Sequence, residues 1–261
     1  MEKKLLIVPD VHGRKFWKDV KEYPDANIIF LGDYLDPYTG IEGIMPLDAI
    51  ENFKEILEFA REHKDNVTLL YGNHDSYAFK SRNLCSCRHD WKNIETIEKL
   101  FDENEDLFQL AYEIDINGKH FLLTHAGVNP IWVNHYLNVF DGSFHYSAEE
   151  LNPLRRKIYA LCDISLYRGG DQFVGSMVWS DIREYEPTEN LSNRFNIKIS
   201  DKITFPENMV QICGHTWINS PISLDCKDYI IHCIDVQQVF YIDENGNLRY
   251  LSDDKVVETK S

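Results

Sequence analysis

The sequence predicts an α/β fold, and two observations carry the prediction. Short apolar runs recur along the chain, each ending in a cluster of polar residues, and amphipathic helical stretches lie between them. Lys4–Pro9 leads into Asp10-Val11-His12-Gly13, and Asn27–Leu31 into Gly32-Asp33-Tyr34-Leu35-Asp36. Val67–Tyr71 leads into Gly72-Asn73-His74-Asp75, His120–Leu123 into Thr124-His125-Ala126-Gly127, and Met209–Cys213 into Gly214-His215-Thr216. Runs this short and this apolar read as buried strands, and open α/β sheets place their sites at the carboxyl ends of such strands.

Between the runs, Pro46 through Glu62 carries Leu47, Ile50, Phe53, Ile56, Leu57 and Ala60 at three-to-four spacing, an amphipathic helix with Pro near its start. Ile94, Ile97, Leu100 and Phe101 suggest a second helix, opened by Asp90 or Asn93. Tyr229–Val236, Val239–Asp243 and Leu248–Leu251 read as closing strands, the last two joined by an Asn-Gly hairpin at Asn245-Gly246. Residues 128–208 are poorly patterned and read as an insert of loops and helices over the strand ends. No repeat or Gly/Ser linker marks a boundary, so 1–261 reads as one domain.

Composition limits the function classes. Hydrophobic residues at 43% and charged residues at 27% suit a folded soluble protein. The net charge of -16, from 43 acidic and 27 basic residues, argues against a nucleic-acid surface, which needs Lys and Arg to meet phosphates. No apolar run approaches the roughly 20 residues of a membrane span, and the start shows no signal-peptide pattern. The six cysteines lack disulfide-like regularity, so a cytoplasmic protein with reduced thiols and no membrane partner is expected.

The polar clusters carry the chemistry. Asp10 and His12 stand two apart, so in an extended segment both approach one cation. The two oxygens of Asp33 are able to bridge two cations. Asn73 adds a neutral oxygen ligand, and His125 and His215 add imidazoles. Mixed oxygen and imidazole ligands suit first-row metals, manganese foremost, with iron and zinc as alternatives. Two such ions about 4 Å apart hold a bridging hydroxide and polarise a phosphoryl group. His74 is placed to protonate the leaving alkoxide, with Asp36 or Asp75 as the orienting carboxylate and Asp36 preferred. Any one of these residues alone reads as a loop or turn residue; five clusters, each after a strand-like run, do not read as accident.

Asp10-x-His12, Gly32-Asp33-x-x-Asp36, Gly72-Asn73-His74-Asp75, His125 and Gly214-His215 resemble the motif series of the calcineurin-like metallophosphoesterases. The resemblance implies a β-sandwich of two mixed sheets flanked by helices, with two metals at one edge. It also implies that Asp10 and His12 bind the first metal, Asp33 bridges, Asn73, His125 and His215 bind the second, and His74 is the general acid. Asp10-Val11-His12-Gly13, His125-Ala126-Gly127, Trp179-Ser180-Asp181 and a Gly-His-Thr-Trp ending are similar to the phosphoprotein phosphatase branch, which includes serine/threonine phosphatases and dinucleoside tetraphosphatases. The expected activity is hydrolysis of phosphate monoesters by direct attack of a metal-bridging hydroxide. The expected substrate is phosphorylated: a small molecule, a nucleotide or a phosphoprotein. A dinucleoside polyphosphate hydrolase or a phosphodiesterase is the enzymatic alternative. The full ligand set argues against a metal-free interaction module.

One departure stands out. The branch follows its Gly-Asp-x-x-Asp with an Arg-Gly that grips phosphate, whereas this chain has Asp36-Pro37-Tyr38. Arg14, Arg82 and Arg168 are the candidate replacements, because a guanidinium fork suits phosphate oxygens. Cys85-x-Cys87-x-His89 brings soft ligands together but offers only three for a structural zinc. Tyr34, Tyr38, Trp179 and Trp217 lie near the motifs, where ring stacking on substrate competes with plain core packing.

Overall fold

The computed structural model describes residues 4–80 and 88–258. Arg82, Cys85 and Cys87 lie outside them. The chain divides into two compact units, Met1–Gln109 with Gln237–Val256, and Leu110–Val236 with Val257–Ser261. Each unit is built on one mixed sheet.

The first unit runs β1 (Leu5–Val8), β2 (Asn27–Phe30), α1 (Thr39–Glu42), α2 (Pro46–Glu62), β3 (Val67–Leu70), α3 (Ile94–Glu103) and β4 (Phe108–Gln109). The second runs β5 (Ala111–Ile116), β6 (Lys119–Thr124), α4 (Pro130–His135), α5 (Ala148–Leu151), α6 (Thr188–Phe195), β7 (Met209–Cys213), β8 (Ile222–Asp225) and β9 (Ile230–Cys233). The chain then returns to the first unit with β10 (Phe240–Ile242) and β11 (Leu248–Tyr250).

In the first sheet the order is β11-β10-β1-β2-β3-β4. β1 through β4 are parallel, in register from Leu5↔Asn27 to Val8↔Phe30 and from Ile28↔Val67 to Phe30↔Leu69. Parallel strands in register deliver their carboxyl ends to one edge, and that is what brings the loops after β1, β2 and β3 side by side. All four β1 residues are buried, as a central strand covered on both faces requires. The second sheet has the order β5-β6-β7-β9-β8, with β6, β7 and β9 parallel. Its β6 and β7 bring His125 and Gly214 together, with Gly214 N donating to His125 O at 2.8 Å.

α2 has the bounds its periodicity predicts, with Pro46 in its first turn and Ala49, Ile50, Phe53, Ile56, Leu57 and Ala60 buried. Leu47 departs from the pattern and is 62% exposed, since the first turn starts outside the core. Phe53 stacks on Tyr34 at 5.1 Å and meets Phe101 of α3 at 4.9 Å, which locks both helices onto the sheet. Burying one such ring contributes about 1.5–3 kcal/mol. The helix also carries the buried Asn52, which accepts from Trp17 Nε1 at 3.0 Å and donates to Arg14 O at 3.1 Å. Asn52 thereby fixes the loop after β1. At the start of α3, Asn93 holds the cap position without a side-chain bond, while Asp90 accepts from Asn93 N at 3.2 Å.

The Asn-Gly hairpin joins β10 to β11, which pair antiparallel. Gly246 alone has positive φ, Gly246 N donates to Asp243 O at 2.9 Å, and Asp243 N donates to Asn247 O at 3.0 Å. The connection is therefore a type I turn followed by a left-handed glycine, and Asp243 Oδ1 secures it by accepting from Asn245 N and Asn247 N. Residues 128–208 contain α4, α5, α6 and 3₁₀ turns, with isolated bridges in place of strands. No helix among the described residues is long and apolar enough to cross a membrane.

His232, which matches no motif, sits opposite Ser223 across β8 and β9 with Nδ1 2.5 Å from the hydroxyl oxygen. Burial, and then the charge of Lys119, pushes its pKa down to about 4 from 6.5. The unfolded chain therefore takes up a proton near 6.5 that the folded chain refuses until about 4, and stability is lost as pH falls through that window. Denaturant melts should show a loss of about 2–3 kcal/mol from this group between pH 7.5 and 4.5. His232→Gln should flatten that part of the slope; an unchanged slope would contradict the assignment.

Candidate active site

In the first unit, three loops interlock at the carboxyl edge of the sheet. His12 N donates to Asp33 O at 2.6 Å and Gly13 N to Tyr34 O at 3.0 Å, tying the loop after β1 to the loop after β2. Asp33 N donates to Asp75 Oδ2 at 2.8 Å and His74 N to Asp33 Oδ1 at 2.8 Å, tying the second loop to the one after β3. Asp10, His12, Asp33, Asp36, Asn73, His74 and Asp75 are all buried here. The segment after Asp10 is not extended, in contrast to the expectation from spacing: His12 has φ +46°, and Asp33 and Asp36 both have φ +55°. Left-handed backbone at three ionisable residues is the kind of local strain that gathers at functional sites.

Gly32 makes the interlock feasible. Its φ is +108°, and a Cβ there would stand 2.4 Å from Gly72 N, so the two loops touch backbone to backbone. Gly13, with φ +78°, lets the first loop press on α2, where an added Cβ would meet the Ala49 Cβ at 2.8 Å.

The donor set fits a cation. His12 Nδ1 lies 2.8 Å from Leu35 O. A carbonyl only accepts, so Nδ1 carries the proton and Nε2 presents a lone pair. That lone pair faces Asp33 Oδ2 at 3.4 Å. Burial, and then the neighbouring His74, holds the His12 pKa well below its ordinary value, which disfavours a second proton on its ring. Asp33 is pushed well above the usual carboxylate range by burial, then by Asp10 and Asp75. Lone pairs facing each other among mutually repelling carboxylates are relieved by a positive ion between them. His12, Asp33 and His74 have ligand atoms within 4.8 Å of one another, a spacing that suits metal coordination.

His74 is held from both sides. Nδ1 lies 2.9 Å from Asp36 Oδ2, and Nε2 lies 3.2 Å from Arg88 NH2. Asp36 Oδ1 accepts from Tyr77 OH at 2.6 Å. Asp75 does different work: its carboxylate accepts from Gly72 N, Asp33 N and Tyr34 N, stapling the loops together. Burial lifts its pKa to about 7 in spite of those three donors.

In the second unit, His125 follows β6 and His215 follows β7, the latter with φ +63°. Both are buried, with His125 Nε2 3.1 Å from His215 Nδ1. Trp179-Ser180-Asp181 lies against them: Ser180 Oγ donates to Ala126 O at 2.6 Å, and the Trp179 ring meets His215 edge-on at 5.8 Å. Arg168 donates to His215 Nε2 at 3.0 Å and to His215 O at 2.6 Å, and its NH1 lies 3.6 Å from Asp181 Oδ2. Burial works to raise the Asp181 pKa, but the hydrogen bonds from Arg183 outweigh it and hold the carboxyl below its ordinary value.

With this geometry in place, likeness to known proteins decides the family. A family description, calcineurin-like phosphoesterase, matches residues 3–216. The chain belongs to the calcineurin-like phosphoesterase family. Members of this family use divalent metal ions, and the buried donor groups above are candidates to hold them. A curated relative, a protein phosphatase 2A catalytic subunit of Dictyostelium discoideum, is 30% identical over 136 residues, which is 48% of this chain and 38% of the relative. The chain thus covers well under half of that relative's length. A solved protein serine/threonine phosphatase from Saccharomyces cerevisiae aligns over 98% of this chain and 78% of its own, at 15% identity and a TM-score of 0.51. The phosphoesterase Yfce from E. coli aligns over 98% and 97%, at 14% identity and a TM-score of 0.41. The yeast likeness concerns the fold, and two mixed sheets flanked by helices agree with it.

The arginine candidates separate. Arg14 is buried and engaged by Glu42, with Nε 3.0 Å from each carboxylate oxygen. Arg168 lies on His215, and Arg82 is outside the described residues. Arg88 was not singled out from the sequence, yet it contacts His74. It follows no strand and is only the unspecified residue between Cys87 and His89 in Cys85-x-Cys87-x-His89, so no ligand chemistry marked it. Of the aromatic candidates, Tyr34 is core, with its hydroxyl donating to Leu70 O at 2.9 Å. Trp179 is buried, Trp217 is exposed, and Tyr38 carries the Arg88 guanidinium on its ring at 3.7 Å.

Proposed function

We propose that this chain is a metal-dependent phosphomonoesterase. In this reading Asp10, His12, Asp33, Asn73, His125 and His215 hold two divalent ions, manganese being the first to test. The observation that carries the reading is the His74–Asp36 pair, buried at 2.9 Å, whose imidazole lies 4.9 Å from the ring of His12. A proton donor so close to a metal-competent nitrogen suits a reaction that needs a cation on the phosphoryl group and a proton on the leaving oxygen.

The bound ions supply an activated water and neutralise phosphoryl charge. The protein does the rest. Leu35 O fixes the His12 tautomer so that Nε2 is the ligating atom. Asp36 orients His74 and stabilises its protonated form, and Tyr77 OH fixes Asp36 in turn. His74 Nε2 then gives its proton to the departing alkoxide. Asp75 holds Asp33 and Asn73 at their separation through the loop backbone.

Similarity to a protein phosphatase 2A catalytic subunit supports a monoester substrate, and a phosphoprotein is one such substrate. The test is a panel of 4-nitrophenyl phosphate, its bis-ester, a phosphopeptide and diadenosine tetraphosphate, assayed with manganese and after chelation. Manganese-dependent turnover of the monoester, lost on chelation, is expected. Faster turnover of the bis-ester or of the tetraphosphate would replace monoesterase by phosphodiesterase or dinucleoside polyphosphate hydrolase. No turnover on any of them would overturn the reading.

A further inference from the structure

The family pattern has an arginine where this chain has Pro37 and a glycine where it has Tyr38. We propose that Arg88 is the phosphate-binding arginine of this site, with the Tyr38 ring as its platform; the proposal rests on the phosphomonoesterase reading above.

Four contacts set Arg88 in place. Its Nε donates to Asp36 O at 3.0 Å, and its guanidinium carbon lies 3.7 Å from the centroid of the Tyr38 ring. The next two residues are pinned to Tyr77: the His89 ring stacks on the Tyr77 ring at 3.8 Å and 12°, and Asp90 N donates to Tyr77 OH at 2.5 Å. Tyr77 OH is the same hydroxyl that donates to Asp36 Oδ1. One phenol therefore references both the proton-donor pair and the segment that carries the arginine. Arg88 also borders a cavity of about 290 Å³ with Leu35, Pro37 and Ile50, which gives its side chain room to re-aim.

With Nε committed to a backbone carbonyl, the outer end of the fork points at the imidazole, NH2 lying 3.2 Å from His74 Nε2. Nε2 is the atom that must reach the bridging oxygen of the ester. A phosphoryl group seated against Nε2 brings its non-bridging oxygens within reach of the same NH2. An anionic phosphoryl oxygen is a better acceptor for guanidinium than a neutral imidazole, so substrate displaces the Arg88–His74 contact and takes the fork bidentately. That exchange also frees Nε2 to carry the proton it donates. Tyr38 contributes by stacking, which keeps the guanidinium plane oriented.

The experiment measures inorganic phosphate binding to the manganese-loaded protein by calorimetry, beside KM and kcat for 4-nitrophenyl phosphate, in wild type, Arg88→Ala and Arg88→Lys. Arg88→Ala is expected to weaken phosphate binding and raise KM about 10- to 100-fold, as loss of charge-assisted hydrogen bonds implies. Arg88→Lys should recover only part, because an ammonium cannot make the bidentate contact. Added guanidinium at millimolar level should partly restore Arg88→Ala, a response that a merely structural role would not give. Metal content and melting temperature are followed to separate loss of fold, and Arg88→Lys carries the test if the alanine variant unfolds. Phosphate affinity and KM within two-fold of wild type in the folded variants would overturn the proposal, as would absence of phosphate binding by wild type. Wild type that binds phosphate through Arg88 but hydrolyses no ester would instead overturn the phosphomonoesterase reading alone.

Discussion

Replacing Asp33 by Asn is expected to lower manganese-dependent turnover of 4-nitrophenyl phosphate about 1,000-fold or more, while raising the melting temperature of the chelated protein. Both effects come from the same buried charge. Asn keeps an oxygen that accepts from His74 N, as Asp33 Oδ1 does at 2.8 Å, so the loop geometry is retained. It loses the second oxygen, which faces His12 Nε2 at 3.4 Å, and with it the anionic ligand proposed to bridge the ions. Several kcal/mol of transition-state stabilisation depends on that ligand, hence the size of the rate loss. The gain in stability follows from the cause of the raised Asp33 pKa, which is burial first and then repulsion from Asp10 and Asp75. A group whose folded pKa is raised loses its stabilising contribution as pH rises through that pKa, so the penalty is largest at high pH. The chelated Asn variant should therefore outlast wild type by more at pH 8 than at pH 5. Turnover within ten-fold of wild type would sink the ligand assignment. A lower melting temperature at both pH values would sink the electrostatic account.

Gly32→Ala should be the most damaging single-methyl change in the first unit. Alanine would have to adopt φ +108°, with its Cβ 2.4 Å from Gly72 N and 2.8 Å from Gly72 Cα, atoms of backbone that cannot swing aside. Strain and overpacking together cost about 3 kcal/mol or more. For a chain of this size that lowers the melting temperature by about 10 °C. Turnover should fall as well, because separating the loops after β2 and β3 moves Asp33 away from Asn73 and His74. Gly40→Ala is the control: it lies in α1 and an added Cβ meets nothing within 4 Å, so the melting temperature should hold or rise slightly. Equal melting temperatures for the two variants would contradict the close approach of the two loops.

The strands that carry the polar clusters were legible because burial on both faces leaves a continuous apolar run, as in Leu5–Val8 and Met209–Cys213. α2 was legible to the residue because Pro46 marks its start and a single apolar stripe runs its length. β5 was not, although it is as long as β6: of Ala111–Ile116 only Ala111 is buried, and an edge strand with polar faces leaves little trace in composition. β8, another edge strand, and the two-residue β4 failed for the same reason and for brevity. The 3₁₀ turns of 128–208 have no period long enough to read. Among the candidate site residues, Asp10, His12, Asp33, Asn73 and His74 announce themselves by chemistry and by following strands. Arg88 does not, because what places it is a stack on Tyr38 and a hydroxyl on Tyr77, contacts that no spacing rule encodes.

The pairing of β1 with β10 bears on how the chain is made. Leu5, Leu6 and Ile7 take Ile242, Tyr241 and Phe240 as their antiparallel partners, more than two hundred residues downstream. On the ribosome, β2 emerges early enough to pair one edge of β1, but its other edge waits for Phe240–Ile242. The strands β5 to β9 pair only among themselves, within the continuous span 110–236. Vectorial synthesis therefore allows the later sheet to close before the earlier one. The β1–β10 hydrogen bonds close a loop of more than two hundred residues, and until they form an apolar Leu-Leu-Ile-Val edge is on offer to neighbouring nascent chains.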